Sequence, residues 1–186
     1  MYKEVTEKNI ILESIASKDY LTNMYNHKSF YDLLNNIMKS SEKNNDTFCL
    51  ALLDIDDFKL VNDTFGHLAG DMVLKELSSI FQSNIRSQDI VARYGGEEFA
   101  IIFPETSIND ARKICERIRN LVENHTFSIE NKKVKITISG GVGEALSSET
   151  LTKQQGLVNY VDKLLYDTKN DGKNQIKYNN NTICMV

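Results

Sequence analysis

The sequence is short of cysteine, and this shortage excludes several kinds of site. Its three cysteines, Cys49, Cys115 and Cys184, are an odd number at wide separations and form no CxxC pair. That arrangement argues against a disulfide framework, a zinc site or a dithiol redox centre. Cys49 and Cys115 lie in apolar patterns, so we expect them to be ordinary buried core residues.

Long apolar runs and an excess of positive charge are also missing. No apolar stretch approaches the roughly 20 residues that cross a bilayer. The N-terminal MYKEVTEKN has no signal-peptide core either, so we expect a cytoplasmic protein. The chain has 22 Lys and Arg against 26 Asp and Glu, a formal net charge of -4. Proteins that bind duplex nucleic acid normally present a basic face to the phosphates, so we expect any bound nucleotide to be small.

Length and composition suit one compact domain. With 186 residues, 41% of them hydrophobic and 26% charged, the chain can form one ordinary core and is too short for two. Residues 1–18 show an incomplete amphipathic pattern, which predicts a helical linker that packs on a partner or continues from a preceding segment. We expect the domain to cover residues 19–178 and a frayed tail to cover 179–186.

Apolar periodicity predicts an α+β fold. The spacing i, i+3, i+4 predicts helices, and short apolar or alternating runs predict strands. Two strands, DIVARY and EFAIIF, flank Gly95 and Gly96 and predict a hairpin whose turn needs positive φ at the glycines. The order of helix, strand, helix, hairpin, helix, strand and helix predicts helices around a largely antiparallel sheet. The other elements are helices around 30–38, 73–81, 111–122 and 157–165, and strands over 48–55, 133–143 and 175–178.

Acidic side chains follow the most apolar of these strands. FCLALLDI (48–55) has Asp54 as its second-last residue and is followed by Asp56 and Asp57. Asp54 and Asp56 are two residues apart, so their side chains should point to the same face of the sheet. One interpretation is a metal site, and the other is a set of solvated acids at a strand end.

The hairpin offers more carboxylates of the same kind. Glu97 and Glu98 follow the two glycines directly. If they converge with Asp54 and Asp56, they provide the hard oxygen ligands that suit Mg²⁺. A turn without side chains would also let a nucleotide approach the backbone closely. The alternative is a solvated acidic β-turn.

Taken together, these segments resemble one known family. RYGGEEF (93–99) is similar to the signature hairpin of the GGDEF diguanylate cyclases, in the GGEEF form of active members. The resemblance implies a central, mostly antiparallel five-stranded sheet surrounded by helices, similar to nucleotidyl cyclase and polymerase palm domains. It rests also on DYLTNMYNHKSF (19–30), DIDDFKLVNDTFGHLAGD (54–71), ITISGGVG (136–143) and VDKLLYDTKNDGKN (161–174).

For catalysis, the resemblance implies a metal-dependent condensation. Asp54, the Ile55 carbonyl and Glu97 would hold two Mg²⁺ ions, with Mn²⁺ as an alternative. A ribose 3′-hydroxyl of one GTP would attack the α-phosphate of the other and release pyrophosphate. Glu97 would accept the proton, Glu98 would support it, and Lys59 would stabilise the charge on the phosphates.

For substrate binding, the resemblance implies contacts from several segments. Backbone N–H groups at Phe58 and Lys59 would cradle the triphosphate, and Gly95 and Gly96 would let it approach. Asp71 accepts from the guanine edge and therefore favours GTP over ATP; alone, it would be interpreted as the N-cap of a helix starting at Met72. The remaining contacts are Asn62 and His67 at the nucleotide, and Lys169 and Lys173 at the phosphates, although these lysines also suit a helix C-terminus.

A further resemblance concerns the RxxD formed by Arg86 and Asp89, five residues ahead of GGEEF. It implies a product site at which cyclic di-GMP inhibits the enzyme, whereas by itself the pair would be two surface charges. The sequence departs from the family pattern at Asn23, usually Gly, at His27 and Lys28, commonly Arg, and at Gly140, usually branched. Position 173 is more often Arg.

The implied function is a homodimeric diguanylate cyclase. Each protomer would bind one GTP, cyclic di-GMP would be both product and inhibitor, and a sensory domain outside this chain would control dimerisation. The alternative is a catalytically silent module that binds GTP or cyclic di-GMP in signalling. Silent modules typically have altered hairpin carboxylates, whereas Glu97 and Glu98 are both present.

Overall fold

A computed structural model of the chain describes residues 17–145 and 154–178. Most of the predicted N-terminal linker (1–18) and the whole predicted tail (179–186) lie outside the described residues. The helices are α1 (His27–Asn44), α2 (Phe58–Phe65), α3 (His67–Ser83), α4 (Ile108–Asn124) and α5 (Gln154–Asn170). The strands are β1 (Phe48–Ile55), β2 (Ile90–Arg93), β3 (Glu98–Pro104), β4 (Phe127–Ile129), β5 (Lys132–Val134), β6 (Ile138–Ala145) and β7 (Ile176–Tyr178).

A five-stranded sheet in the order β2-β3-β1-β6-β7 forms the centre of the fold. Its neighbouring strands are antiparallel except for the parallel pair β6–β7, which confirms the predicted fold class. All eight residues of β1 are buried, as expected for a central strand covered on both faces. One face packs against α3 and α4, and the other against α1 and α5. Cys49 and Cys115 are buried, as predicted.

Two local predictions were wrong. The alternating run 133–143 is not one strand: β5 ends at Val134 and pairs with β4 in a separate two-stranded sheet, and β6 begins only at Ile138. Alternation continues through the break, so the pattern alone does not reveal it. Helix α2 was not predicted as a separate element, because eight residues are too few for a clear helical period. Gly66, at φ +82°, ends α2 and starts α3.

The structure shows the surroundings of three of the departures from the family pattern. Asn23 has φ 57°, a left-handed conformation that Asn tolerates better than most residues. The His27 ring packs 5.0 Å from that of Tyr31 and 5.1 Å from that of Tyr94, measured between centroids. A Cβ at Gly140 would lie 2.4 Å from Cδ2 of Leu53 and 2.7 Å from Cδ1 of Ile176, so larger neighbours fill the space of the missing side chain.

Candidate active site

The end of β1 and the start of β3 lie side by side. Asp54 is opposite Glu98 in the antiparallel register. The Ile55 N–H donates to the Glu97 carbonyl at 3.3 Å. The structure therefore brings the three predicted metal-binding positions, at 54, 55 and 97, to one edge of the sheet.

The Asp54 carboxylate is the least satisfied group at this edge. Its side chain is 5% exposed, and Oδ2 lies 2.7 Å from Nζ of Lys169. Oδ1 is buried and has no hydrogen-bond partner among the described residues. Burial raises the pKa of Asp54 to about 6; the Lys169 ammonium opposes this shift, and Glu97 and Glu98 add to it. A buried carboxylate oxygen without a partner fits a bound cation.

Glu97 shares this environment. Burial raises its pKa, Lys169 lowers it, and the neighbouring Glu98 raises it further. Within the part of the chain that the structure describes, no three His, Cys, Asp or Glu side chains gather into a metal cage. The predicted set contains only two carboxylates and one backbone carbonyl, and Mg²⁺ commonly completes such a set with water and substrate phosphates. The residues at this edge therefore fit the ion.

Asp56 does not join this set. Its Oδ1 accepts from Ser139 Oγ and its Oδ2 from Thr137 Oγ1, both at 2.7 Å. The predicted convergence of four carboxylates was therefore wrong at this position, because both oxygens of Asp56 are already used in hydrogen bonds.

The turn of the hairpin differs from its prediction. Among the described glycines, only Gly66 and Gly172 have positive φ, so the expectation of positive φ at Gly95 and Gly96 was wrong. A Cβ at Gly95 would lie 2.3 Å from Oε2 of Glu98 and 3.3 Å from its Cβ, whereas one at Gly96 would meet no described atom within 4 Å. Glycine at position 95 thus provides room for the Glu98 side chain.

Arg93, the last residue of β2, binds the backbone of this turn through its side chain, a role that the sequence pattern did not reveal. Its Nε and Nη2 donate to the Gly96 carbonyl at 3.2 and 2.7 Å. Its Nη1 donates to both oxygens of Asp19 at 3.2 and 3.3 Å. Asp19 also accepts from the backbone and the hydroxyl of Thr22. One guanidinium therefore connects the turn beginning at Asp19 to the residue before Glu97.

The predicted nucleotide contacts lie where α2 meets α3. Asn62 and Asp71 are half-buried, and His67 is exposed at the first position of α3. A Cβ at Gly70 would lie 2.0 Å from Oδ1 of Asn62, so the absence of a side chain at Gly70 lets the two helices approach. Asp71 lies inside α3, and its alternative interpretation as an N-cap was wrong. A glycine within a helical pattern is the signal that could have revealed Gly70.

The predicted phosphate contacts surround the end of β1. Phe58 is buried and Lys59 exposed in the first turn of α2, where backbone N–H groups have no intrahelical acceptor. Lys169 is in the last turn of α5 and lies against Asp54. Lys173 Nζ lies 2.6 Å from Oδ1 of Asp57. Two of the three predicted lysines, Lys169 and Lys173, therefore pair with carboxylates at the end of β1.

The RxxD segment forms a compact turn away from this edge. The Arg86 N–H donates to Oδ2 of Asp89 at 2.8 Å, and the Asp89 N–H donates to the Arg86 carbonyl at 3.1 Å. Asp89 is buried, and burial raises its pKa while Arg86 opposes the shift. The Arg86 side chain is exposed. Arg117 Nη2 donates to the Asn84 carbonyl at 2.6 Å, which places a second guanidinium, not singled out from the sequence, beside this turn.

None of the described helices has the length and apolar character that crossing a bilayer requires.

Comparisons with known proteins agree with this geometry. A sequence model of the family described as diguanylate cyclase, GGDEF domain, matches residues 16–175. Diguanylate cyclase A of Treponema denticola is 36% identical over 178 residues, which are 94% of this chain and 47% of that protein. An uncharacterized membrane protein of Staphylococcus haemolyticus is 38% identical over 162 residues, 87% of this chain and 45% of that protein.

A solved structure shows the same fold. The coiled coil and GGDEF domain of DgcB from Caulobacter crescentus, in complex with c-di-GMP, matches with a TM-score of 0.88 at 31% identity, over 96% of this chain and 93% of that one. The chain spans about half the length of the curated relatives it matches. With a family match across nearly all of its described residues and the signature hairpin at the edge of β1, the chain belongs to the diguanylate cyclase GGDEF-domain family.

Proposed function

We propose that this chain is a diguanylate cyclase, which condenses two GTP molecules into cyclic di-GMP and releases pyrophosphate. The observation that carries the proposal is the buried Asp54 oxygen without a partner, next to the Ile55 carbonyl and Glu97. These three groups would hold Mg²⁺, or Mn²⁺, which also accepts oxygen ligands. When bound, the ions supply activation of a hydroxyl and neutralisation of phosphate charge.

Side chains and backbone groups of the chain would provide proton transfer and phosphate binding. Glu97, whose carboxylate has a raised pKa, accepts the proton of the attacking 3′-hydroxyl, because a higher pKa makes a better base. Glu98 adds negative charge beside it. Lys59, Lys169 and Lys173 stabilise the phosphates. Phe58 and Lys59 donate backbone N–H groups to them.

Specificity for guanine would come from the junction of α2 and α3. Asn62, His67 and Asp71 surround this position, and Asp71 accepts from the N1–H and 2-amino groups of guanine. Adenine presents an acceptor at the corresponding position, so a carboxylate there disfavours ATP.

The direct test is incubation of the purified chain with GTP, ATP or both in the presence of Mg²⁺, followed by mass spectrometry of the products. The proposal expects cyclic di-GMP from GTP and no cyclic product from ATP alone. A silent binding module would bind nucleotide and release no pyrophosphate. A mixed or adenine product would contradict the role given to Asp71.

Catalysis would require two copies of the chain. The described residues of each chain provide one set of the groups named above, whereas the product contains two phosphodiester bonds that join two GMP units. We propose that two protomers face each other with one GTP each. The N-terminal linker over 1–18, ahead of the 19–178 domain, would connect to an upstream sensory domain. The greater length of the curated relatives supports this arrangement.

Specific activity should therefore rise with protein concentration. We expect an approximately proportional rise while monomers predominate and a plateau once dimers form, because assembly follows mass action. Initial rates at saturating GTP over a hundredfold range of protein concentration would show this. Constant specific activity, together with a monomeric mass by light scattering across the range, would contradict the two-copy mechanism.

The turn at Arg86 and Asp89 would be the site of product inhibition. Arg86 is exposed and Arg117 lies beside the same turn, so two guanidinium groups are available to a phosphate or a guanine of cyclic di-GMP. Asp89 fixes the backbone on which Arg86 is carried.

Arg86→Ala should relieve inhibition without removing catalysis. We expect the cyclic di-GMP concentration for half-inhibition to rise about tenfold or more, the size of one lost charge-assisted contact. Initial rates with added product measure it. Lys75→Ala removes an exposed charge from α3 and serves as the matched control. Unchanged inhibition in Arg86→Ala would show that the product does not use this turn.

A further inference from the structure

Asp56 is a buried carboxylate at the end of β1, and its hydrogen bonds go to the strand region 137–139 and to the turn that follows α5. It is 7% exposed. Its Oδ1 accepts from Ser139 Oγ at 2.7 Å, and its Oδ2 accepts from Thr137 Oγ1 at 2.7 Å and from the Asn174 N–H at 3.1 Å. The same N–H also lies 3.1 Å from Ser139 Oγ. In contrast to Asp54, this side chain has partners on both oxygens.

The third partner belongs to the turn that follows α5. Lys173 and Asn174 have left-handed φ values of 62° and 47°, which non-glycine residues adopt only where surrounding contacts hold them. The Asn174 side chain supplies further contacts, because its Nδ2 donates to Glu123 and its Oδ1 accepts from Arg119 Nη1 at 2.7 Å. The turn is thus fastened to the sheet through Asp56 and to α4 through the Asn174 amide.

Two cations lie next to or within this turn. Lys169 is in the last turn of α5, with Nζ 2.7 Å from Oδ2 of Asp54. Lys173 lies within it, with Nζ 2.6 Å from Oδ1 of Asp57. The three acids at the end of β1 therefore have separate partners: Asp54 and Asp57 face the two ammonium groups, and Asp56 binds the backbone between those groups and β7.

We infer that Asp56 is a positioning residue for the GTP phosphates and not a metal ligand. It holds the turn 171–175 against the end of β1, and so sets where Lys169 and Lys173 present their charges. Residues Ser139 and Thr137 of the neighbouring strand region complete the anchor. The nature of the ligand rests on the proposed function, whereas the anchoring of the turn does not.

The anchoring is tested first, on the protein without nucleotide. Asp56→Asn keeps the shape of the side chain and removes its charge, so hydrogen exchange in a peptide covering 171–175 should become about tenfold faster, as expected when a hydrogen bond to a charged acceptor is weakened. Asp46→Asn, an equal charge change before the other end of β1, should leave that exchange unchanged. If exchange in Asp56→Asn matches the wild type, the inference is overturned. Thr137→Val, which removes one donor, is the second variant if Asp56→Asn does not fold.

The phosphate role is tested with 3′-deoxyGTP, which lacks the attacking hydroxyl and so binds without reacting. Its dissociation constant, measured by equilibrium dialysis with Mg²⁺, should rise about tenfold in Asp56→Asn. With GTP, KM should rise similarly, while kcat at saturating GTP and the Mg²⁺ concentration for half-maximal rate stay within about twofold. An increased Mg²⁺ requirement, or a fall in kcat at constant KM, would instead indicate a role at the metal. Failure of the wild type to form cyclic di-GMP would refute the proposed function and leave the exchange and dialysis results interpretable.

A second variant separates positioning from a general loss of structure. Lys173→Met removes one of the charges that Asp56 is inferred to position. In that background, Asp56→Asn should weaken 3′-deoxyGTP binding by clearly less than its tenfold effect in the wild type, because part of the same contribution is already gone. Fully multiplicative effects of the two substitutions would contradict action through Lys173.

Discussion

Replacing Glu97 with Gln is expected to lower the rate of cyclic di-GMP formation by about a thousandfold or more, the size commonly associated with loss of a general base or a metal ligand. The substitution keeps the shape of the side chain and removes the charge that would accept the proton. The Ile55 N–H donates to the backbone carbonyl of Glu97. Because the substitution leaves this carbonyl in place, the hairpin should keep its register. Pyrophosphate release under saturating GTP measures the effect.

Glu105→Gln is the matched control for this loss. Glu105 follows β3 at its opposite end and is exposed, so the same change of charge there should alter the rate by less than about twofold. Circular dichroism should show equal helix and strand content in both variants. A Glu97→Gln variant with more than a tenth of the wild-type rate would show that another group accepts the proton.

Replacing Asp54 with Asn should remove activity and, in the absence of metal, stabilise the fold. The pKa of this buried carboxyl is raised from 3.8 to about 6. A folded-state pKa above the unfolded one means that the wild type loses stability as the pH rises through this interval. Asn resembles the protonated form. The variant should therefore gain an advantage that develops from about pH 4 and reaches on the order of 3 kcal/mol above pH 6.

Urea unfolding at pH 8 and at pH 5, with chelator present, measures this advantage, which should be smaller at pH 5. Added Mg²⁺ should stabilise the wild type, because a ligand that binds only the folded state shifts the equilibrium by mass action. Asp54→Asn should not respond. If Asp54→Asn is the less stable protein at pH 8 without metal, then the Asp54–Lys169 ion pair of the wild type outweighs the cost of burying the carboxylate.

The candidate metal-binding edge was predictable because each of its parts lies in a recognisable local motif and the register of two strands connects them. β1 is a continuous apolar run, and the hairpin motif fixes β2 and β3 around one turn. In the antiparallel register of β1 and β3, Asp54 lies opposite Glu98. Burial of β1 on both faces then explains why Asp54 is desolvated.

The role of Asp56 was not predictable in this way. Its partners Thr137, Ser139 and Asn174 are 81, 83 and 118 residues away, and no local pattern connects such distant positions. Spacing correctly suggested that Asp54 and Asp56 share an edge, but it did not show that only one has a free oxygen there. Arg117, 33 residues from its contact Asn84, was missed for the same reason.

The glycines in the sequence indicated where turns and close contacts occur, but they did not indicate why glycine is found there. At Gly95 and Gly140, neighbouring side chains occupy the space that a Cβ would take, while Gly66 has the positive φ that separates α2 from α3. A sequence shows that a side chain is missing, but it does not show whether dihedral freedom or space is the reason. The break between β5 and β6 was missed for a comparable reason. Alternation of apolar residues continues across it, although β5 and β6 belong to different sheets.

The contacts of Arg93 make the signature turn sensitive to events near the beginning of the domain. The guanidinium is planar and rigid, and it binds the Asp19 carboxylate on one side and the Gly96 carbonyl on the other. Both side chains of the ion pair are only 15% exposed, so water competes weakly for them. A displacement of Asp19 must therefore break this pair or pull on the backbone one residue from Glu97. Torque applied at the N-terminal junction would thus have a route, through one guanidinium, to the residue next to the proposed proton acceptor.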